Sequence, residues 1–138
     1  MSNEYNIPLN LECREEYLVR EEHTAKHIGS GEVEVLSTPS MILFMEHTAL
    51  KCVEKYLPQN YTTVGIRVDV KHKNPAPKGG KVEVVSIIRG VEGRKIVFEV
   101  KALWKNIIVG EGIHERFIVN KEKFLEKLKS LMKNETLE

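Results

Sequence analysis

The chain contains a single Asp (Asp69), a single Trp (Trp104) and two cysteines, Cys13 and Cys52, in 138 residues. Two thiols are too few for a disulfide framework, or for a structural zinc site, which takes about four ligands. Long apolar runs are missing as well: the longest, residues 40–45, stops at Glu46, far short of the roughly 20 residues that span a bilayer. The opening MSNEYNIPLNLE lacks the basic and apolar regions of a secretory signal. Neither charge prevails, with Lys+Arg 21 against Asp+Glu 20 and a net charge of +1, so no field is present to hold nucleic acid. The glycines form neither a GxGxxG nor a Walker A pattern. These absences, with 41% hydrophobic and 30% charged residues, predict a soluble, cytoplasmic, single domain over residues 1–138 with no metal and no resident cofactor. A domain of this length buries roughly two thirds of its unfolded surface and needs no staple.

Lysine and glutamate are what the chain has in excess: 19 of its 20 acids are Glu and 15 of its 21 bases are Lys. That enrichment marks hyperthermophile proteomes, and an AT-rich genome or a helix-favouring surface gives the same bias.

Along the chain, residues 11–20 alternate as a first strand. Residues 23–32 are polar with two glycines and predict a loop or lid rather than a packed element. After a short extended piece at 33–36, Thr38 before Pro39 signals a helix start, with the Thr38 hydroxyl as cap and the proline at the first helical position. The helix is expected over 39–56, ending before Pro58. Strands follow at 62–73, 81–90, 95–104 and 107–119, read as a four-strand antiparallel meander with turns at Pro75–Gly80, Glu92-Gly93 and Lys105-Asn106. Residues 121–133 form an amphipathic helix with Phe124, Leu125, Leu128, Leu131 and Met132 on one face. One long apolar helix against an antiparallel sheet of at least five strands, plus a short C-terminal helix, is an α+β layer pair.

Three residues break this pattern. Glu46 has Ile42, Leu43, Ala49 and Leu50 as its helical neighbours, while the polar stripe of His47, Lys51, Glu54 and Lys55 is centred roughly 125° away. A carboxylate among aliphatics must be paired, protonated or facing a cleft; it is either an edge glutamate paired with an arginine of the sheet or a functional acid. His72 follows Val68 and Val70 on the core side of its strand, either satisfied by a backbone carbonyl or acting as a general base at a pocket mouth. Thr38 is a cap, or a hydroxyl at a helix N-terminus where an oxyanion can be held. Hydroxyl, carboxylate and imidazole together form a set suited to acyl transfer. Other polar residues read as ordinary: His23, His27 and His47 as solvated, His114-Glu115-Arg116 as a structural or interface ion cluster alternating with Ile113 and Phe117. Lys71, Lys73, Lys78 and Lys81 are a solvated loop, or a greeting for the phosphates of a coenzyme A.

The segments Val35-Leu36-Ser37-Thr38-Pro39, Met45-Glu46, Val64-Gly65 with Val70-Lys71-His72, Val91–Lys95 and Gly112–Arg116 together resemble the hotdog-fold thioesterases related to fluoroacetyl-CoA-specific thioesterase. The likeness runs over roughly residues 12–128, and the Thr38, Glu46 and His72 spacings coincide with that family's catalytic set. The resemblance implies an antiparallel sheet wrapped around a central helix, hydrolysis of an acyl-CoA, and a homodimer, or a tetramer built from dimers, with the site at the dimer interface. It casts Thr38 as the group that positions the thioester or attacks it. Glu46 becomes the nucleophile or the group that orients water, and His72 the general acid/base. Gly65 leaves room for the acyl group, and Arg116 lies near the site. The family's namesake carries an aromatic lid before the helix, whereas residues 23–37 contain no Phe, Tyr or Trp; a small or medium acyl group other than fluoroacetyl is therefore expected. A non-catalytic acyl-CoA-binding module is the alternative. A hydratase is disfavoured, because the helix start offers no Asp.

Overall fold

The computed structural model describes residues 3–136. In chain order these form strand β1 (Glu12–Leu18), a 3-10 turn (Glu21–His23), a single helical turn α1 (Ala25–Ile28) and the long helix α2 (Thr38–Val53), which continues into a second 3-10 turn (Glu54–Tyr56). Strands β2 (Tyr61–His72), β3 (Lys81–Glu92), β4 (Lys95–Trp104) and β5 (Ile107–Asn120) follow, and helix α3 (Lys121–Thr136) closes the chain. One antiparallel sheet in the order β1-β3-β4-β5-β2 packs against α2, which touches every strand. This is the hotdog arrangement.

The meander covers three strands rather than four. Tight turns at Gly93 (φ 63°) and at Lys105-Asn106 (φ 51° and 63°) make β3-β4-β5 consecutive neighbours, as left-handed turn residues do in short hairpins. β2 instead pairs with β5, Tyr61 opposite Asn120 and His72 opposite Gly110. The segment between His72 and Lys81 therefore crosses from one edge of the sheet to the strand beside β1. Alternation shows which residues share a face; it does not choose the neighbour.

The buried side of α2 is Ser40, Met41, Phe44, Met45, Thr48, Ala49, Cys52 and Val53. These meet Val82, Val84, Ile88, Ile96, Phe98, Val100 and Ile118 from the sheet. Truncating one such side chain, Met45 for example, costs about 2–5 kcal/mol. Tyr17 of β1 stacks on Phe44 at 4.4 Å and shares a 2.9 Å hydrogen bond with Thr48. The two cysteines are paired: Cys13 on β1 and Cys52 on α2 form a disulfide, and no free cysteine remains. Such bridges persist in oxidising compartments and inside hyperthermophiles, the latter in keeping with the Lys/Glu excess.

Residues 23–37 are more ordered than a polar loop. Thr24 caps α1 by accepting from His27 N at 3.2 Å, and a Thr24–Leu36 bridge closes the segment on itself, with Thr24 and Leu36 buried. His23 is not simply solvated, since its ring packs edge-on against Phe44 at 4.8 Å and Nδ1 accepts from Arg20 N. His27 and His47 are exposed as expected. The apolar face of α3 is also exposed, Phe124 through Met132 lying about half open. No described helix is long and apolar enough to cross a membrane.

Candidate active site

α2 begins one residue earlier than the sequence suggests. Ser37, not Thr38, is the N-cap: its hydroxyl accepts from Ser40 N at 3.1 Å and its carbonyl takes the first helical bond from Met41 N. Backbone bonds from Leu36 N to Ala76 and from Ser37 N to His23 fix the chain's turn at that point, so Ser37 reaches the capping geometry first. Thr38 becomes the first helical residue. Its hydroxyl, released from capping, meets His72 Nδ1 at 2.8 Å.

His72 ends β2 and lines a shallow cleft of about 250 Å³ with Val35, Leu36, Lys73, Asn74 and Pro75. Burial lowers its pKa below the ordinary 6.5, opposed in part by the backbone of Asn74. Nothing among the described residues meets its buried Nε2 in hydrogen-bonding geometry. Burial thus favours the neutral form of the ring, which is tied at one nitrogen to a hydroxyl.

Glu46 sits two turns further along α2. The pairing expected of an edge glutamate is present: it faces a sheet arginine, Arg116, at 3.7 Å, and its side chain is 41% exposed. Gly65 adjoins it directly, for a Cβ there would lie 2.8 Å from Glu46 Oε2. The room Gly65 leaves is therefore filled by the Glu46 carboxylate. Arg116 is held rigidly, with Nε on Thr63 Oγ1 (2.7 Å), Nη2 on the Thr63 carbonyl (2.9 Å) and Nη1 on His114 Nε2 (3.1 Å). Burial lowers its pKa and Glu46 works the other way; a guanidinium stays charged regardless.

The structure thus joins Thr38 to His72, and Glu46 to Gly65 and Arg116, but it does not join the two groups within one chain. Eight helical residues separate Thr38 from Glu46, about 12 Å along the axis. Sequence reasoning missed Thr63 entirely, and it left His114 as a generic ion-cluster member. The available signal was the shared phase of His114, Arg116 and Ile118 along β5, with Ile118 fully buried. The basic loop is largely neutralised, with Lys73, Lys78 and Lys81 facing Glu111, Glu34 and Glu16. A groove of about 380 Å³ between Tyr17, His23, Phe44 and His47 contains neither Thr38, Glu46 nor His72. Among the described residues no three His, Cys, Asp or Glu side chains gather as a metal set.

Residues 19–122 match the family described as fluoroacetyl-CoA-specific thioesterase. The chain belongs to this family of thioester hydrolases. A fluoroacetyl-CoA thioesterase of Streptantibioticus cattleyicolor is 32% identical over 96 residues, 70% of this chain and 69% of that one. A solved fluoroacetyl-CoA thioesterase superposes with a TM-score of 0.85 at 27% identity, over 91% of this chain and 97% of that one. A Thermus thermophilus protein of the thioesterase superfamily superposes with a TM-score of 0.88, also at 27% identity, over 96% and 98% of the two chains.

Proposed function

We propose that this protein hydrolyses a small or medium acyl-CoA, with Thr38, Glu46 and His72 as its chemical groups and with Gly65 and Arg116 beside the acyl end. The observation that carries the reading is the 2.8 Å contact between the Thr38 hydroxyl and His72 Nδ1, made at the positive end of the α2 dipole. With Nδ1 as acceptor, His72 takes a proton from the Thr38 hydroxyl, or from a water placed there, as an oxygen adds to the thioester carbonyl. The tetrahedral intermediate collapses, the C–S bond breaks, and the imidazolium returns the proton to the departing CoA sulfur. Water supplies the second oxygen of the acid product, either as the attacking oxygen in this step or by adding to the acyl group left on Thr38 or Glu46, whose bond to the acyl carbon then breaks and frees the side chain. Glu46 either attacks the carbonyl itself or orients that water.

The separation of Glu46 from His72 supports a homodimer. β2 is an edge strand whose residues 65–69 are all exposed, including Ile66 and Val68, and such an edge is a template for another strand. A two-fold axis crossing β2 near Val68–Asp69 sets Gly65, and with it Glu46, opposite His72 of the partner subunit. Each site then takes its hydroxyl and imidazole from one chain and its carboxylate from the other.

The test is thiol release from a panel of acyl-CoAs, short to long and including fluoroacetyl-CoA. Turnover that survives Thr38→Ser and is lost in Thr38→Ala assigns the chemistry to the hydroxyl; equal effects would make Thr38 a spacer. Mixing inactive Glu46→Ala and His72→Ala chains should restore about a quarter of wild-type activity if sites are shared across a dimer, and none if each chain is self-sufficient. Binding without release from any member would favour an acyl-CoA-binding module.

A further inference from the structure

We propose that His114 is a positioning residue for Glu46: a buried, neutral imidazole that fixes the Arg116 guanidinium so that one of its nitrogens faces the carboxylate. The inference deepens the thioesterase reading above and rests on it, because it assigns a supporting group to Glu46.

Donor and acceptor chemistry determines the state of the ring. His114 Nδ1 lies 2.8 Å from the Arg67 carbonyl, which can only accept, so Nδ1 carries the proton. Nε2 lies 3.1 Å from Arg116 Nη1, which can only donate, so Nε2 presents its lone pair. A second ring proton would point a cation at a cation. The ring is 1% exposed and stacks near Phe98 at 6.2 Å. Burial lowers its pKa from the usual 6.5; the Arg67 carbonyl opposes this, Arg116 reinforces it, and Glu46 and Glu115 oppose it.

The consequence passes through Arg116. Thr63 takes Nε and Nη2 and His114 takes Nη1, so the guanidinium plane is held from β2 and β5 together. Arg116 is 6% exposed, and it faces the Glu46 carboxylate at 3.7 Å from the same Nη1 that His114 holds. Remove the His114 acceptor and Thr63 alone holds the guanidinium, so the whole plane can tilt about that side and shift the Nη1 that faces Glu46. Protonate His114 and the two cations repel, with the same result. The hydrogen bonds of His114 go to Arg67 and Arg116, and its ring lies against Phe98 and the Gly65 backbone; none of its described contacts is with Thr38 or His72.

His114→Gln and His114→Phe separate the parts of this scheme. Gln offers Arg116 a non-titrating oxygen near the Nε2 position, while Phe keeps the packing and offers no acceptor. His114→Phe should lower kcat about 10- to 100-fold, as misplacement by an ångström does, with KM within twofold; His114→Gln should recover most of kcat at neutral pH and shift the acid limb of the pH profile to lower pH. In the wild-type protein, nitrogen-15 shifts should report the Nδ1–H tautomer of His114, a readout independent of turnover and of any variant's folding. Observation of the Nε2–H tautomer overturns the proposal. So does His114→Phe turnover above half of wild type with an unchanged acid limb while Glu46→Ala is inactive. Were Glu46→Ala fully active, the thioesterase role of Glu46 would itself be wrong, and the loss would lie there rather than at His114.

Discussion

The two ends of the candidate site are built on opposite terms. At the start of α2, Thr38 is exposed and His72 half-buried, and one hydrogen bond joins them. Two turns on, Glu46 leans on an arginine held by three hydrogen bonds, backed by a histidine buried to 1%. The first end is free to exchange partners, as proton transfer requires. The second is fixed, as a preorganised charge requires. Catalytic groups and their supports can therefore be told apart by how many bonds each would lose on substitution.

His72→Ala should show the largest effect, lowering kcat about 10³-fold while moving Tm by a few degrees at most, since only the Thr38 bond is lost; turnover assays and calorimetry read the two together. Arg116→Ala should strike stability as well as turnover, removing about 3 kcal/mol by orphaning buried partners and lowering kcat at least as far as His114→Phe does; a denaturant midpoint near wild type would sink the contrast. Gly65→Ala should come next, since its Cβ, 2.8 Å from Glu46 Oε2, pushes aside the end of a flexible and partly exposed side chain. Activity should fall about 10-fold or more with Tm little changed, and a crystal structure should show the carboxylate turned away.

The smallest effect is that of pH on the wild-type fold. His72 and His114 both have pKa values lowered below 6.5 by burial, so the unfolded chain binds protons at a higher pH than the folded one. Stability is complete above about 6.5 and declines as pH falls from there toward the folded values. A Tm that rises on acidification from pH 7 to 5 would contradict these assignments.

Much of this was legible in the chain itself. Glu46 stands out among Ile42, Leu43, Ala49 and Leu50; the phase of Val68, Val70 and His72 leaves Val70 and His72 half-buried, while Val68, nearer the middle of the edge strand, is 39% exposed. The cap was displaced by one residue because serine and threonine compete for it on nearly equal terms, and tertiary bonds from His23 and Ala76 decide between them. β5 was harder, because there the usual orientation is inverted: His114 and Arg116 are buried while Ile113 and Phe117 are about 40% exposed. Alternation identifies two faces, and hydrophobicity normally says which one points inward. Where a polar network replaces the core, that second rule fails. The pairing of Cys13 with Cys52 was equally hidden, since 39 residues of separation say nothing about proximity.

That bridge has a consequence of its own. The loop it closes holds the 23–37 segment, Thr38 and Glu46, so these are tethered at both ends even when the rest of the molecule is unfolded. Closing a loop of this length removes roughly 4 kcal/mol of entropy from the unfolded chain on the loop-closure account. Because every sulfhydryl the protein could have offered is already consumed, a thiol-reactive dye added during turnover will report only the sulfur that leaves the substrate. A reductant added to protect the enzyme would remove both the tether and that silence.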